Sequence, residues 1–331
     1  MNIQPNWEEN WVKIEMTVSN SADSPLFDST NVIALGFKAA INSASNATIS
    51  GPIYLDDYAL ETSLKTTFDF ERLEVERDFA DLRSVLDRWC SERVARVFVF
   101  ANGAAAPSFA PNGEVVGLDE NFFQDFDALL NAARQSNIFL MPVLLDFYWC
   151  DTLKIESGVQ VGGRSEIIRD QNKRQTFLDR ALGPLIERYR NDPRIIAWDL
   201  INEPEWAMQE VPKDFQVGDQ VLVSQMQDFV RQCAEVIHSR SLHPVTVGSA
   251  RRKWLGYWQG LGLDFYQFHW YDKFEAEEPF PWLPYRELRL DRPCIIGEVP
   301  TANTRYSVSQ FLEAAYDGGY HGLLVWSYRA S

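Results

Sequence analysis

Residues 138–145 read IFLMPVLL, a run without a polar side chain. A strand with one face in water alternates apolar and polar residues, so an uninterrupted apolar run predicts a strand covered on both faces. The stretch before it, FFQDFDALLNAARQ (122–135), repeats its apolar positions at helical spacing. The same helix-then-strand alternation continues in both directions. Upstream, a helical stretch at 71–90 has Leu73, Phe79, Leu82, Val85, Leu86 and Trp89 near three- and four-residue intervals, and VARVFVF (94–100) follows it. Downstream come a helix at 172–190, IIAWDLIN (195–202), a helix at 219–240, PVTVGS (244–249), DFYQFHWY (264–271), PCIIGEV (293–299), a helix near 307–317 and GLLVWSY (322–328). TTFDF (66–70) supplies the remaining candidate, which makes eight strands. Alternating strands and helices predict a parallel sheet, and eight such units predict an α/β fold of the closed (β/α)8 TIM barrel type. A doubly wound open sheet shares the covered strands, but no GxGxxG or GxxxxGK[ST] loop follows any of them.

The chain has 331 residues, room for one barrel of about 250 residues and a small appendage. The barrel is assigned to 63–331 and a small N-terminal β-rich segment to 1–62, where WVKIEMTVS (11–19), NVIALGFKAAI (31–41) and GPIYLDDYALE (51–61) are separated by polar turn stretches. A formal charge of −16 argues against nucleic acid and anionic membranes as partners and is compatible with a neutral polymer. No segment approaches the ~20 apolar residues of a membrane span. Cys90, Cys150, Cys233 and Cys294 form no CxxC pair, so buried free thiols are expected, not zinc ligands or a disulfide framework. His238, His243, His269 and His321 form no HExxH pattern, which argues against a histidine-rich metal site. MNIQPNWEENW at the start has neither the basic residues nor the apolar stretch of a signal peptide, so the chain is either intracellular or exported by a signal lying outside it.

Catalytic groups of such barrels sit at the C-terminal ends of the strands. Asn202 and Glu203 end the run Ile195, Ile196, Ala197, Trp198, and Glu298 follows Ile295, Ile296 and Gly297. Two carboxylates at one barrel mouth are the equipment of glycoside cleavage, which needs a proton donor to the leaving oxygen and a second carboxylate at the anomeric carbon.

Asn202-Glu203-Pro204, Glu298 within IIGE, and His269-Trp270-Tyr271 between them resemble family 5 of the glycoside hydrolases, in the clan of retaining (β/α)8 enzymes, over roughly residues 63–331. Asn-Glu-Pro alone is a weak signal; its combination with the other residues in strand order carries the resemblance. The resemblance implies that Glu203 is the acid/base and Glu298 the nucleophile. Arg96 matches the family's second-strand arginine, His269 and Tyr271 its sixth-strand His-x-Tyr, and Trp326 its eighth-strand tryptophan. It implies a retaining endo-β-1,4-glycanase acting on glucan or mannan, with a polysaccharide or oligosaccharide as substrate, no cofactor, no metal, and secretion. An exo-acting β-glycosidase or transglycosylase on oligosaccharides is the alternative within the class, and a non-catalytic carbohydrate-binding barrel the alternative outside it. A metal-dependent hydrolase lacks the ligand clusters it would need. Oligomeric state is not legible. Residues 1–62 resemble the C-terminal half of jelly-roll carbohydrate-binding modules, with an unrelated small sheet as the competing reading, and no sugar binding is inferred from them.

The chemistry also follows from the residues. Glu298 has to be ionised to attack, and a guanidinium at Arg96 with a hydroxyl from Tyr271 stabilises that form. Glu203 has to begin protonated; the negative charge of Glu298 holds the proton there until the glycosyl-enzyme forms. Asn202 is suited to the sugar 2-OH and Trp326 to the sugar's C–H face. Each assignment has a plainer alternative: an ion pair for either glutamate, a core-plugging role for Arg96, an orienting role for His269. FYWCD (147–151), where many family members carry a histidine, makes Asp146 and Trp149 candidates for the cleft lining. Trp206 is a candidate border of the leaving-group subsite, Trp254 and Trp258 are sugar platforms or core, and Trp198 is barrel packing. The loop 151–171 has the length and glycines of a cleft wall.

Overall fold

Seven strands lie side by side in chain order, every neighbouring pair parallel: β1 (Arg93–Phe98), β2 (Ile138–Asp146), β3 (Trp198–Asn202), β4 (Val245–Ser249), β5 (Tyr266–His269), β6 (Cys294–Pro300) and β7 (Leu323–Trp326). The computed structural model describes residues 93–326 apart from positions 105, 120, 157, 276 and 277. The segment 1–62, the strand expected at 66–70 and the helix expected at 71–90 lie outside the described residues. A doubly wound sheet reverses its strand order at a switch point; here the order never reverses, and the sheet curls into a nearly closed barrel. Its two edges approach each other, with the Phe98 ring of β1 6.0 Å from that of Trp326 on β7.

β2 is buried from Leu140 to Asp146, as its apolar run predicts for a strand with helices outside and the barrel core inside. Helices α1 (Phe122–Gln135), α2 (Val223–His238) and α3 (Val308–Asp317) cover the sheet. α1 buries Phe122, Phe126, Leu130 and Ala133, and α2 buries Met226, Phe229, Val230, Cys233, Ala234 and Ile237, in each case one stripe at three- and four-residue spacing. Fully burying each large apolar side chain contributes about 1.5–3 kcal/mol. α3 starts in a reciprocal cap: the Ser307 hydroxyl accepts from Gln310 N at 3.2 Å, and Ser307 N donates to Gln310 Oε1 at 2.9 Å. Helical residues 171–189 begin at Asp170, whose carboxylate accepts from Asn172 N and Lys173 N. Cys150, Cys233 and Cys294 are buried free thiols, as expected. Among the described residues no helix is long and apolar enough to cross a membrane.

Strand register decides which side chains meet. Asn202 pairs with Asp146 on one side and Gly248 on the other, Gly248 pairs with Gln267, and His269 pairs with Glu298. β2, β3, β5 and β6 thus deliver polar residues to one rim of an otherwise apolar barrel, with Gly248 of β4 between them. The loop 151–171 folds into a hairpin (Lys154–Glu156 with Val159–Val161) and a short helix, Glu166–Arg169.

Candidate active site

The site is built on a polar layer inside the barrel. Asp199, fully buried on β3, accepts from Arg96 Nε at 2.8 Å, from Gln267 Nε2 at 2.7 Å and from Gly248 N at 3.0 Å. Arg96 reaches across the barrel, giving Nη1 to Glu298 Oε1 at 2.6 Å and Nη2 to Asn202 Oδ1 at 2.9 Å. Burial opposes the charge of Arg96, and the carboxylates of Asp199 and Glu298 outweigh it, so its pKa is raised. Space for the guanidinium exists because residue 248 is glycine: a Cβ there would lie 2.6 Å from Arg96 Nη2.

Above this layer stand the two glutamates. A carboxylate oxygen of Glu298, a carboxylate oxygen of Glu203 and a ring nitrogen of His269 all lie within 4.8 Å of one another. The second oxygen of Glu298 accepts from the Tyr271 hydroxyl at 2.6 Å. Burial, and then the charge of Glu298, raise the Tyr271 pKa, so it stays a donor. Glu203 Oε1 lies 2.7 Å from His269 Nδ1, and Glu203 Oε2 accepts from Trp206 Nε1 at 2.7 Å. His269 is fully buried, and burial brings its pKa down to about 4, so the ring is neutral at ordinary pH. The Glu203 pKa is pushed up to about 7 by burial, against the Trp206 hydrogen bond and the charges of Arg96 and Arg251. The sequence suggested the charge of Glu298 as the cause; desolvation by burial is what raises it.

Glu203 has left-handed backbone (φ 47°, ψ 46°), which costs a non-glycine residue about 1–3 kcal/mol and persists only where its surroundings fix it. They do so here: its N–H donates to Gly248 O at 2.6 Å, and its C=O accepts from Trp206 N at 3.2 Å across the turn opened by Pro204. Asn202 is equally fixed, with Oδ1 on Arg96 and Nδ2 donating to Asp146 Oδ2 at 2.9 Å, which leaves one amide hydrogen free. Asp146 also accepts from Tyr148 N, and burial raises its pKa to about 7.

Glu298, Glu203, Arg96, Asn202, His269 and Tyr271 therefore converge, and Trp326 ends β7 beside Pro300, half-buried at the same rim. Trp206 also joins them, through its indole N–H on Glu203. Trp149 does not: it is 0% exposed, boxed in by Phe100, Phe109 and Phe177, because the turn 147–150 points it into the core and leaves Tyr148 outside. Trp254 and Trp258 are buried as well. Trp258 donates to Glu205, a fully buried carboxyl that also accepts from Ser249 Oγ and Ala250 N and that burial raises to about 7. Asp199, Gln267 and Glu205 escaped the sequence reading; the signal for the first two was a polar residue inside the otherwise apolar strands WDLIN and YQFH.

The closeness of Glu203, His269 and Glu298 is what a cation site would require, yet protein groups already occupy them. Arg96 and Tyr271 take both oxygens of Glu298, and His269 Nδ1 faces Glu203. A guanidinium bonded directly to Glu298 repels a further cation.

No family model matches the chain. It is 28% identical over 272 residues to a mannan endo-1,4-beta-mannosidase of Mytilus edulis, covering 70% of this chain and 71% of that one. It is 26% identical over 275 residues to a mannan endo-1,4-beta-mannosidase of Cryptopygus antarcticus, covering 71% of this chain and 70% of that one. Among solved structures it superposes on the β-mannanase of the blue mussel Mytilus edulis with a TM-score of 0.56 and 26% identity, over 72% of this chain and 76% of the other. These likenesses, added to the parallel barrel and its facing glutamates, support placing this glycoside hydrolase with the mannanase-like members of family 5 in clan A.

Proposed function

We propose that the chain is an endo-acting β-1,4-mannanase that works with retention of anomeric configuration, Glu298 serving as nucleophile and Glu203 as acid/base. The observation that carries this reading is the approach of carboxylate oxygens of Glu203 and Glu298 to within 4.8 Å. Carboxyl groups about 5–5.5 Å apart suit double displacement, whereas inversion needs a wider gap for an intervening water.

In the first half-reaction an oxygen of Glu298 bonds to the anomeric carbon as the glycosidic C–O bond breaks, and the leaving oxygen takes the proton of Glu203. In the second, ionised Glu203 takes a proton from water, the water oxygen bonds to the anomeric carbon, and the ester bond to Glu298 breaks. Arg96 and Tyr271 each donate to an oxygen of Glu298 and so orient it for attack and, afterwards, for departure. The free amide hydrogen of Asn202 serves the 2-OH, the hydroxyl by which mannose and glucose differ. Trp326 offers a ring face at the rim. Tyr148 and Phe215, 46% and 48% exposed on the Glu203 side, extend that apolar lining and suit a chain longer than a disaccharide. The relatives are described as endo-acting on mannan, which favours mannan over glucan and internal over terminal cleavage.

The test is a panel of soluble mannans, β-glucans and xylans incubated with the intact protein and with Glu298→Gln. The expected result is a ladder of β-1,4-manno-oligosaccharides from mannan with the intact protein and none with the variant. Equal release by both would refute the nucleophile assignment, and release of monosaccharide alone would refute internal cleavage.

A further inference from the structure

Trp206 was a sequence candidate for touching the sugar, but its polar atom is spent on the protein. Its indole Nε1 donates to Glu203 Oε2 at 2.7 Å, opposite the His269 contact at 2.7 Å on Oε1. The indole is itself braced. Its ring stands perpendicular to Trp254 at 5.1 Å and to Phe215 at 5.7 Å, and the Arg251 guanidinium carbon lies 5.2 Å from the Trp206 and Trp254 ring centres alike. Arg251, 8% exposed in its side chain, ties three loops together. It pairs with buried Glu275 at 2.5 Å and with Asp214 at 3.1 Å, and donates to Phe274 O at 3.3 Å.

We propose that Trp206, braced by Arg251, is a positioning residue for proton transfer: it fixes the plane of the Glu203 carboxyl and supplies the donor that remains when that group has given up its proton. This rests on Glu203 being the acid/base. Glu203 needs both protonation states in one catalytic cycle, and a neutral N–H that favours the ionised form eases the release of the proton without holding the group permanently charged. An arginine bonded at the same place would hold it ionised.

Titratable groups around Glu203 come from every neighbouring strand end: Arg96 on β1, Asp146 and Tyr148 after β2, Arg251 after β4, His269 and Tyr271 at β5, Glu298 on β6. Of these, His269 is neutral, so the indole donor and the two arginines are what oppose the upward push of burial on Glu203. Loss of the indole N–H therefore moves the Glu203 titration to higher pH.

The experiment compares wild type, Trp206→Phe, Arg251→Lys and Glu203→Ala on mannan and on an aryl β-manno-oligoside whose dinitrophenol leaves without a proton. Trp206→Phe keeps the ring contacts and removes the donor. The expected result is a kcat on mannan lower by roughly ten- to a hundredfold, a basic limb of the pH profile displaced upward, and near wild-type formation of the glycosyl-enzyme from the aryl substrate. Arg251→Lys moves the first two in the same direction by less. The proposal is overturned if Trp206→Phe and Arg251→Lys both keep the wild-type limb and kcat, or if Trp206→Phe loses the same factor on both substrates. If Glu203→Ala shows no dependence on leaving group, it is the acid/base reading that fails.

Discussion

The two sides of the cleft hold their carboxyl groups by opposite means. On the β6 side Glu298 receives a cation and a hydroxyl at 2.6 Å each, and its side chain is 6% exposed. On the β3 side Glu203 has only neutral partners, an indole and an imidazole that burial keeps uncharged, and its side chain is 17% exposed. A directly bonded guanidinium gives a carboxyl group a fixed cationic partner. Neutral donors combined with desolvation make a group that exchanges its proton near neutral pH. One barrel rim thus gives two residues of one type different surroundings, by choice of neighbour.

Breaking the Glu298 side has the largest expected effect. Glu298→Ala should lower hydrolysis by on the order of 10⁴-fold or more, and added azide should yield a glycosyl azide of inverted configuration. Glu203→Ala with azide should instead give the retained azide, since azide then attacks the covalent intermediate. Proton NMR of the products separates the two, and the reverse pairing, retained azide from Glu298→Ala and inverted azide from Glu203→Ala, would mean that the sides have been assigned wrongly. Next in size is Arg96→Met, which leaves Asp199 buried without its cation and should cost about 3–5 kcal/mol in denaturant unfolding, in addition to lost activity. A smaller expected cost follows from Gly248→Ala, whose Cβ would meet Arg96 Nη2 at 2.6 Å and Asp199 Oδ2 and His269 Nε2 at 3.2 Å. Overpacking of this kind costs about 1–3 kcal/mol, and calorimetry with kcat should show both falling; an unchanged enzyme would mean that the guanidinium has room to move.

The mildest test uses pH. In the proposed mechanism Glu203 has to be protonated to start the cycle, and its pKa is raised to about 7, so turnover should fall as pH rises through about 7. Stability should follow the same sign. Asp146, Glu203, Glu205 and Glu275 are all raised to about 7 by burial, so the folded state binds more protons than the unfolded one between the usual carboxylate range and 7. The contribution is complete below that range and is lost as pH rises through 7, so the unfolding temperature should be higher at pH 5 than at pH 8. A flat profile would show that these groups are better solvated than their burial implies.

Much of this was legible in the sequence because a parallel strand covered on both faces tolerates few polar residues, so the polar residues at its end stand out. Glu203 and Glu298 are found that way. Asp199 and Gln267 were missed because they lie within their strands, where one polar letter in an apolar run does not reveal that several strands contribute to one buried layer. Trp149 and Trp206 look alike in sequence, each an aromatic just past a strand. Only the local turn decides that Trp149 goes inward and that Trp206 faces a carboxyl. Glu203 and Glu205, two residues apart and both raised to about 7, are separated by contacts alone: three fixed donors enclose Glu205, while Glu203 keeps part of its surface toward the cleft.

The pinned backbone around Glu203 bears on how such a barrel diversifies. Beyond the turn Pro204–Ala207, the chain leaves through Met208 and returns at Val221, and these two form a small parallel bridge. Gln209 N donates to Val221 O at 2.9 Å, and Val221 N donates to Ala207 O at 2.9 Å. The excursion in between, which carries Phe215, is stapled at its neck. Exchanging it for a segment of another length and lining would retailor what the rim grips while the Glu203 carboxyl stays in place, so new polymer preferences can arise here by cassette replacement without rebuilding the two facing glutamates.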